Sequence, residues 1–445
     1  MARSFTEALD AQPMRPFQWM IAAVCMLVLV CDGIDLQLLG IVAPLVIESF
    51  GTDASTFGIA AGAALIGFGL GSFAGGVLGD AIGRRWTLAL AALVFSLATV
   101  GAASAADVMQ MALWRLAGGL GFGAAYANAL ALAGEWMPER WRGVTVSTLS
   151  VGTPIGGTIV GLIGPGMAAD HGWDGTFLRI GLATTLLVVV IVVALRDSPA
   201  FLLALGKREL AQKNARYVLD NEEELAPEVH AADGAVGQRT SVFDRRNLRL
   251  NLGIAIAFAA AAMVAYSILT WTTTMLTARG FTLEAAGGAV ALAGITSMVG
   301  SVIVGLAMRR FGSLRVLVFL SAGLAVVLAL LAVKVEAMPA QPSLAEQQMV
   351  TWLIGAAGGF FSATIAGMYV LMTFGYPQSC RSSGIGFGIL CSRVGAVGGS
   401  ALGGTLLEMG GGSALPFFAI LGTFSVLIAA AAFVIDRHVP PLAAR

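Results

Sequence analysis

Asp32 and Asp35 lie where acid is costly. They interrupt the apolar run Met20–Leu45, MIAAVCMLVLVCDGIDLQLLGIVAPL, near its middle. A carboxylate at the centre of a bilayer costs about 2.5–3.5 kcal/mol on insertion scales, so it persists where a cavity or partner receives it. Spaced i and i+3, the two acids share one face of a helix. Like charges held close in low dielectric titrate as a unit, which is the chemistry of a proton carrier. Gly33 between them removes bulk, so another helix or a substrate can approach. The plainer alternative is a structural ion pair or a helix cap.

Two arginines also fall inside apolar segments. Arg115, near the outer end of the fourth, is expected to pair with Asp32 or Asp35; the alternative is snorkelling to headgroups. Arg393, near the centre of the eleventh, offers a planar fork that fits a carboxylate. Backbone carbonyls or a headgroup phosphate could hold it instead. Around them, Tyr126, Trp271, Phe361, Met368, Tyr369 and Phe387 could stack on an aromatic ring or simply pack. Asn128 could bond a substrate hydroxyl or another helix. His171, His230 and His438 fall in loops or the tail, which argues against a histidine proton relay.

These residues need membrane-spanning elements to position them. The 445 residues are 57% hydrophobic and 12% charged, with mean hydropathy +0.84. Soluble domains carry about 25% charged residues. Twelve apolar segments reach the roughly 20 residues a bilayer requires: 18–46, 55–79, 86–106, 109–134, 143–168, 176–195, 249–277, 284–308, 314–335, 348–374, 383–407 and 415–436. The expected fold is an all-α polytopic membrane protein with twelve transmembrane helices in two six-helix pseudo-symmetric bundles. The expected domains are 1–195, a central cytoplasmic loop at 196–248 that carries the solvated run Glu222–Glu224, and 249–445. The first apolar run is too long for a cleavable signal and reads as the first span. Of the 26 Lys and Arg, only Arg179, Arg279 and Lys334 fall on the side away from the termini. That asymmetry predicts cytoplasmic termini. The cysteines Cys25, Cys31, Cys380 and Cys391 lack metal or CxxC spacing and read as buried thiols. The glycine-rich stretch Gly67–Gly79 reads as helix packing.

The halves repeat. Gly76-Val-Leu-Gly-Asp80-Ala-Ile-Gly83-Arg84-Arg85 follows span two, and Gly305-Leu-Ala-Met-Arg309-Arg-Phe-Gly312 follows span eight. Pro138 leads at +4 to Arg142, and Pro377 leads at +4 to Arg381. Gly156-Gly157 answers Gly398-Gly399. A duplicated six-helix unit is the layout of a rocking carrier with its site between the halves.

The block Gly76-x-x-x-Asp80-x-x-Gly83-Arg84-Arg85 resembles the signature of the major facilitator superfamily. Ala81 departs from it where Arg or Lys is usual, and the second copy has Arg309 in place of the acid. Asp32-Gly33-Ile34-Asp35 resembles, within that superfamily, the aromatic acid:proton symporters. Arg115-x-x-x-Gly119-x-Gly121-x-Gly123, Glu135-x-x-Pro138-x-x-x-Arg142-Gly143 and Tyr376-Pro377-x-x-x-Arg381 add to the likeness. Ala127 stands where that family often has Pro, and Thr272-Thr273 follow Trp271 where Leu-Pro is common. The resemblance implies a cytoplasmic charge latch of Gly76, Asp80, Gly83, Arg84, Arg85, Glu135, Arg142 and Arg381 that stabilises an outward-open state. Ordinary anchoring would explain the arginines but not Asp80 or Glu135.

The expected function is proton-coupled uptake of an aromatic carboxylate by a monomer in the bacterial inner membrane. Asp32, Asp35 and Arg115 would handle the proton; Arg393, Asn128, Tyr126, Trp271 and Tyr369 would hold the substrate. A carrier for a non-aromatic organic acid and a drug efflux antiporter are the alternatives. A receptor would need an output domain, for which 196–248 is short. No HExxH, GxSxG, Cys/His pair or phosphate-cradling loop suggests an enzyme, metal or cofactor. The basic residues border the membrane, which argues against nucleic acid.

Overall fold

A computed structural model describes residues 3–219, 225–226, 241–377 and 380–441; Glu222–Glu224 and His230 lie outside the described residues. A short N-terminal helix α1 (Phe5–Asp10) precedes α2 (Pro16–Phe50), α3 (Ala54–Ile82), α4 (Arg84–Ala102) and α5 (Val108–Trp136). Then come α6 (Glu139–Leu149), α7 (Gly152–Ala194), α8 (Pro199–Ala204) and α9 (Arg208–Ala215). The second half holds α10 (Leu248–Thr277), α11 (Leu283–Phe311), α12 (Ser313–Glu336), α13 (Leu344–Gly375), α14 (Arg381–Glu408) and α15 (Leu415–Val434).

Eleven of these helices are long and apolar enough to cross a membrane. The expected fifth and sixth spans are one element, α7, of 43 residues. At 1.5 Å per residue it would run about 65 Å, twice a hydrocarbon core. Gly172, at φ 72°, leaves the helical conformation and divides it. The chain thus makes twelve crossings. Residues 143–149, expected at the start of span five, belong to the separate helix α6 instead. The stretch 196–248 is also more than a loop: Leu202, Leu203 and Ala211 of α8 and α9 are buried in the first half's core. Arg3–Ser4 and Leu225–Ala226 form a two-residue parallel strand pair, a small exception to the all-α expectation.

Local chemistry starts the spans. Asp53 caps α3 and accepts from the Thr56 N–H at 2.6 Å, which holds its carboxyl below the usual carboxylate range. Asp107 caps α5, Thr282 caps α11, and Ser343 with Glu346 forms a capping box on α13. Each cap satisfies amide donors that a helix start leaves open. Large apolar side chains such as Phe73, Leu186, Leu306 and Phe319 point outward, fully two-thirds exposed. An apolar exterior of this kind suits lipid.

The two halves match in detail. Gly83, between α3 and α4, has φ 100° and ψ 148°; Gly312, between α11 and α12, has φ 85° and ψ 150°. Gly156 of α7 lies against the Val30 backbone of α2, and Gly399 of α14 lies against the Met263 backbone of α10. One apolar core belongs wholly to the first half, another wholly to the second. A third straddles them.

That shared core sits toward the face away from the termini, where the halves are closed on each other. A Cβ on Gly58 would sit 2.1 Å from the Ala401 carbonyl oxygen, and one on Gly404 would sit 2.1 Å from that of Ala54. Such approach is open only to glycine. The Ser55 N–H donates to Glu408 Oε1 at 2.9 Å, and the Thr273 hydroxyl donates to the Gly40 carbonyl. Thr273 is one of the departures from the resembled pattern; it ties α10 to α2.

Candidate functional site

The two acids do not pair with each other's partners. Asp35, 1% exposed, takes the guanidinium of Arg115 on Oδ2 at 2.6 Å. The second Arg115 nitrogen donates to the Asp35 backbone carbonyl at 3.0 Å. The Thr99 hydroxyl of α4 reaches Asp35 Oδ1 at 2.7 Å. Both carboxylate oxygens of Asp35 are therefore engaged. Of the two acids open to Arg115 on sequence, the fold selects Asp35.

Asp32 is as deeply buried but poorly served. Its Oδ2 accepts from the Thr153 hydroxyl at 3.1 Å; its Oδ1 has no partner among the described residues. Gly33 explains the Thr153 contact. A Cβ there would stand 2.0 Å from the Thr153 carbonyl oxygen, so glycine lets α7 press against α2 and delivers the hydroxyl. An orphaned buried carboxylate oxygen is costly and marks a group with a further task.

Arg393 reaches this layer from the second half. Its guanidinium stands 4.0 Å from the centre of the Phe68 ring of α3, a cation–π contact across the halves. One nitrogen points at the Tyr266 hydroxyl at 3.5 Å, a long contact. Arg393 and Asp32 lie within electrostatic reach of each other, with Tyr126 and Tyr369 in the same field. Tyr126 tilts against Phe68 at 5.6 Å; Tyr369 meets Phe258 edge-on at 5.2 Å. A cation, an acid and aromatic walls thus face one another between the halves. Further from the termini, a cavity of about 20 Å³ between α2, α3, α5, α10 and α14 is lined by Gln37, Arg115, Tyr266, Thr270 and Ser400.

Two expected substrate residues are placed elsewhere. Trp271 is fully buried; its Nε1–H donates to the Ser400 carbonyl at 3.0 Å and its ring meets Phe57 edge-on. It packs the closed face between the halves. Asn128 gives its amide hydrogens to the Gly75 and Ala124 carbonyls, both at 2.8 Å. It fastens α3 to α5, the plainer of its two readings. The same seam absorbs the glycine-rich stretch, since Gly67, Gly71 and Gly75 abut Leu116, Leu120 and Ala124 of α5. Phe361 and Met368 are likewise interior packing.

Thr99, Thr153, Phe68, Tyr266 and Gln37 were not singled out on sequence. A Thr or Phe in an apolar span has no local mark; only the packing of distant helices gives these a role.

The latch residues gather on the terminus-bearing face. Arg84 pairs with Asp80 and with Glu135 at 3.2 Å, and donates to the Gly76 carbonyl at 3.3 Å. The Arg85 side chain donates to the Val192 carbonyl at 2.5 Å. Arg142 donates to the Gly134 carbonyl at 2.9 Å, and Arg381 to that of Tyr376 at 3.5 Å. Both arginines close the end of the preceding helix, where cations are favoured. Each of these contacts stays within one half. The Arg85 N–H also donates to Asp197 Oδ1 at 3.2 Å. Asp197, just past α7, joins this cluster without a sequence signal, and burial pushes its carboxyl up.

Gly83 gives a test of this corner. A Cβ there would stand 2.6 Å from Asp197 Oδ1, on a backbone already at φ 100°. Gly83→Ala should cost about 1–3 kcal/mol, read as a lower unfolding midpoint in detergent. Gly305→Ala, with nothing near its Cβ, is the control. Equal midpoints would contradict the packing described.

Comparison with known proteins fits this architecture. The family model of the Major Facilitator Superfamily matches residues 25–337. The chain is 29% identical to the 4-hydroxybenzoate transporter PcaK of Acinetobacter baylyi, covering 96% of this chain and 94% of that one. It is 26% identical to the gallate transporter of Pseudomonas putida, covering 97% and 94%. It is 26% identical to the 3-(3-hydroxy-phenyl)propionate transporter of Escherichia coli, covering 88% and 87%. Among solved structures, the xylose transporter XylE from E. coli superposes with a TM-score of 0.70 at 18% identity, covering 95% and 98%. A bacterial homologue of the lysosomal transporter Spinster gives 0.70 at 15% identity, covering 95% and 97%. With the duplicated bundles and the matched family model together, the chain belongs to the major facilitator superfamily.

Proposed function

We propose that this protein imports an aromatic carboxylate with a proton, by alternating access, across the bacterial inner membrane, with both termini in the cytoplasm. One observation carries the reading: Arg393 of the second half, without a carboxylate partner among the described residues, lies in the field of an acid layer in which Asp35 is paired and Asp32 Oδ1 is not. The relatives are named as carriers of hydroxylated aromatic acids, which supports the substrate class.

The roles follow from charge and shape. The substrate is an anion with an apolar ring. Its carboxylate takes Arg393 in a forked contact, and its ring displaces or joins Phe68 and Tyr126. Asp32 carries the proton; losing its charge removes the penalty of moving it through the closed state. Asp35 and Arg115 hold the first half's geometry. The closed face would be periplasmic, so the site opens next to the cytoplasm. The latch then serves the opposite, outward-open state, which explains why its contacts stay within each half here.

Uptake into proteoliposomes tests this. An inward proton gradient should drive accumulation of 4-hydroxybenzoate or a phenylpropanoid, and a protonophore should abolish it. Accumulation indifferent to the gradient would sink the coupling. Net loss of substrate from energised cells would favour the efflux alternative, and transport of aliphatic acids alone would favour the non-aromatic one.

A further inference from the structure

The cavity beyond Arg393 has a polar end that the carboxylate and proton chemistry leave unused. Gln37 lines it and is only 9% exposed, so what remains accessible of its side chain is open to this cavity. Opposite, Thr270 Oγ1 and Ser400 Oγ lie 3.0 Å apart. An amide and two hydroxyls around one small cavity offer hydrogen bonds to whatever polar group enters it.

The spacing gives that polar end a fixed relation to Arg393. Ser400 follows Arg393 by seven residues on α14, the same helix face and about 10.5 Å along the axis. Thr270 follows Tyr266 by four on α10, and Tyr266 both lines the cavity and touches Arg393. Leu36, Leu65 and Leu269 give the walls apolar surface, and the one charged lining residue, Arg115, is already paired with Asp35. A benzene ring with a carboxylate at one end, a hydroxyl at the other and a hydrogen bond beyond each spans such a distance.

We propose that Gln37, Thr270 and Ser400 form a hydroxyl-reading subsite that selects aromatic acids with a hydrogen-bonding group across the ring from the carboxylate. The proposal rests on the aromatic-acid reading above. In the present conformation the cavity has room for about one water, so the halves must part for the ring to enter. The hydroxyl then fills that space and bridges the first half's Gln37 to the second half's Thr270–Ser400 pair. A site built to bond a hydroxyl discriminates strongly against an analogue that leaves its polar groups unpaired.

The test compares 4-hydroxybenzoate, benzoate and 4-methylbenzoate in proteoliposomes. The methyl compound matches the hydroxyl in bulk without its hydrogen bonds. Wild type should favour the hydroxyl compound over both by about tenfold or more in kcat/KM. Gln37→Leu should collapse that ratio at least severalfold, as should Thr270→Val with Ser400→Ala. The second variant carries the test if the first does not fold. Equal handling of the three acids by wild type, or an unchanged ratio in a folded variant, overturns the subsite and leaves a cavity that holds water only. Failure to take up any aromatic acid sinks the functional reading itself, and the subsite with it.

Discussion

Asp32→Asn should abolish accumulation of substrate against its gradient while sparing exchange of labelled for unlabelled substrate. Asparagine keeps the size of the side chain and the contact with Thr153, which donates to Asp32 Oδ2 at 3.1 Å. It imitates the protonated acid and cannot release a proton. A carrier frozen in that form can cycle loaded but cannot couple its cycle to a proton gradient. The accumulation ratio should fall to one in proteoliposomes with an imposed pH step, and counterflow at equal pH should continue. Folding should survive, because a neutral amide is less costly to bury than the unpartnered carboxylate oxygen it replaces. Wild-type accumulation by Asp32→Asn would remove Asp32 as the proton carrier.

Asp35→Asn should behave differently, because it leaves a charge behind. Arg115 is 2% exposed and has its ionic partner at 2.6 Å. Removing one member of a buried pair costs about 3–5 kcal/mol, since the other charge remains desolvated and unpaired. The expected result is a large drop in unfolding midpoint in detergent, with exchange and accumulation lost together. Asp35→Asn combined with Arg115→Gln should recover much of the midpoint, because two neutral amides can bond each other. Transport should not return with it, as the charged contact between α2 and α5 is gone. A wild-type midpoint in Asp35→Asn alone would show that the pair holds nothing together. The two neutralisations, three residues apart, thus separate by their readout: drive for Asp32, integrity for Asp35.

Much of this was legible along the chain. Asp32 and Asp35 declared themselves because burial cost depends on local hydropathy. The paired glycine blocks at Gly76–Gly83 and Gly305–Gly312 exposed the duplication, since both need the same turn geometry at Gly83 and Gly312. Boundaries were less secure. The break between the fifth and sixth crossings came at Gly172 inside one continuous element, and α6 split from the span it was expected to begin. Trp271 and Asn128 show the limit for site residues: each is polar enough to face a substrate, yet the Trp271 N–H and the Asn128 amide nitrogen both go to a backbone carbonyl on a neighbouring helix.

By itself, the sequence determined the class, the twelve crossings, the twofold repeat of a six-helix unit and the two costly acids, all properties of composition and period along one strand of chain. Only the tertiary structure decided which acid Arg115 takes, that Asp32 keeps an unpaired oxygen, that Arg393 rests on Phe68, and that Gln37 faces Thr270 and Ser400. The reason is geometric. These partners lie on different helices, and their meeting depends on how each helix is rotated and how closely glycines let the backbones approach. Hydropathy registers the depth of a residue in the membrane, but not the direction it faces.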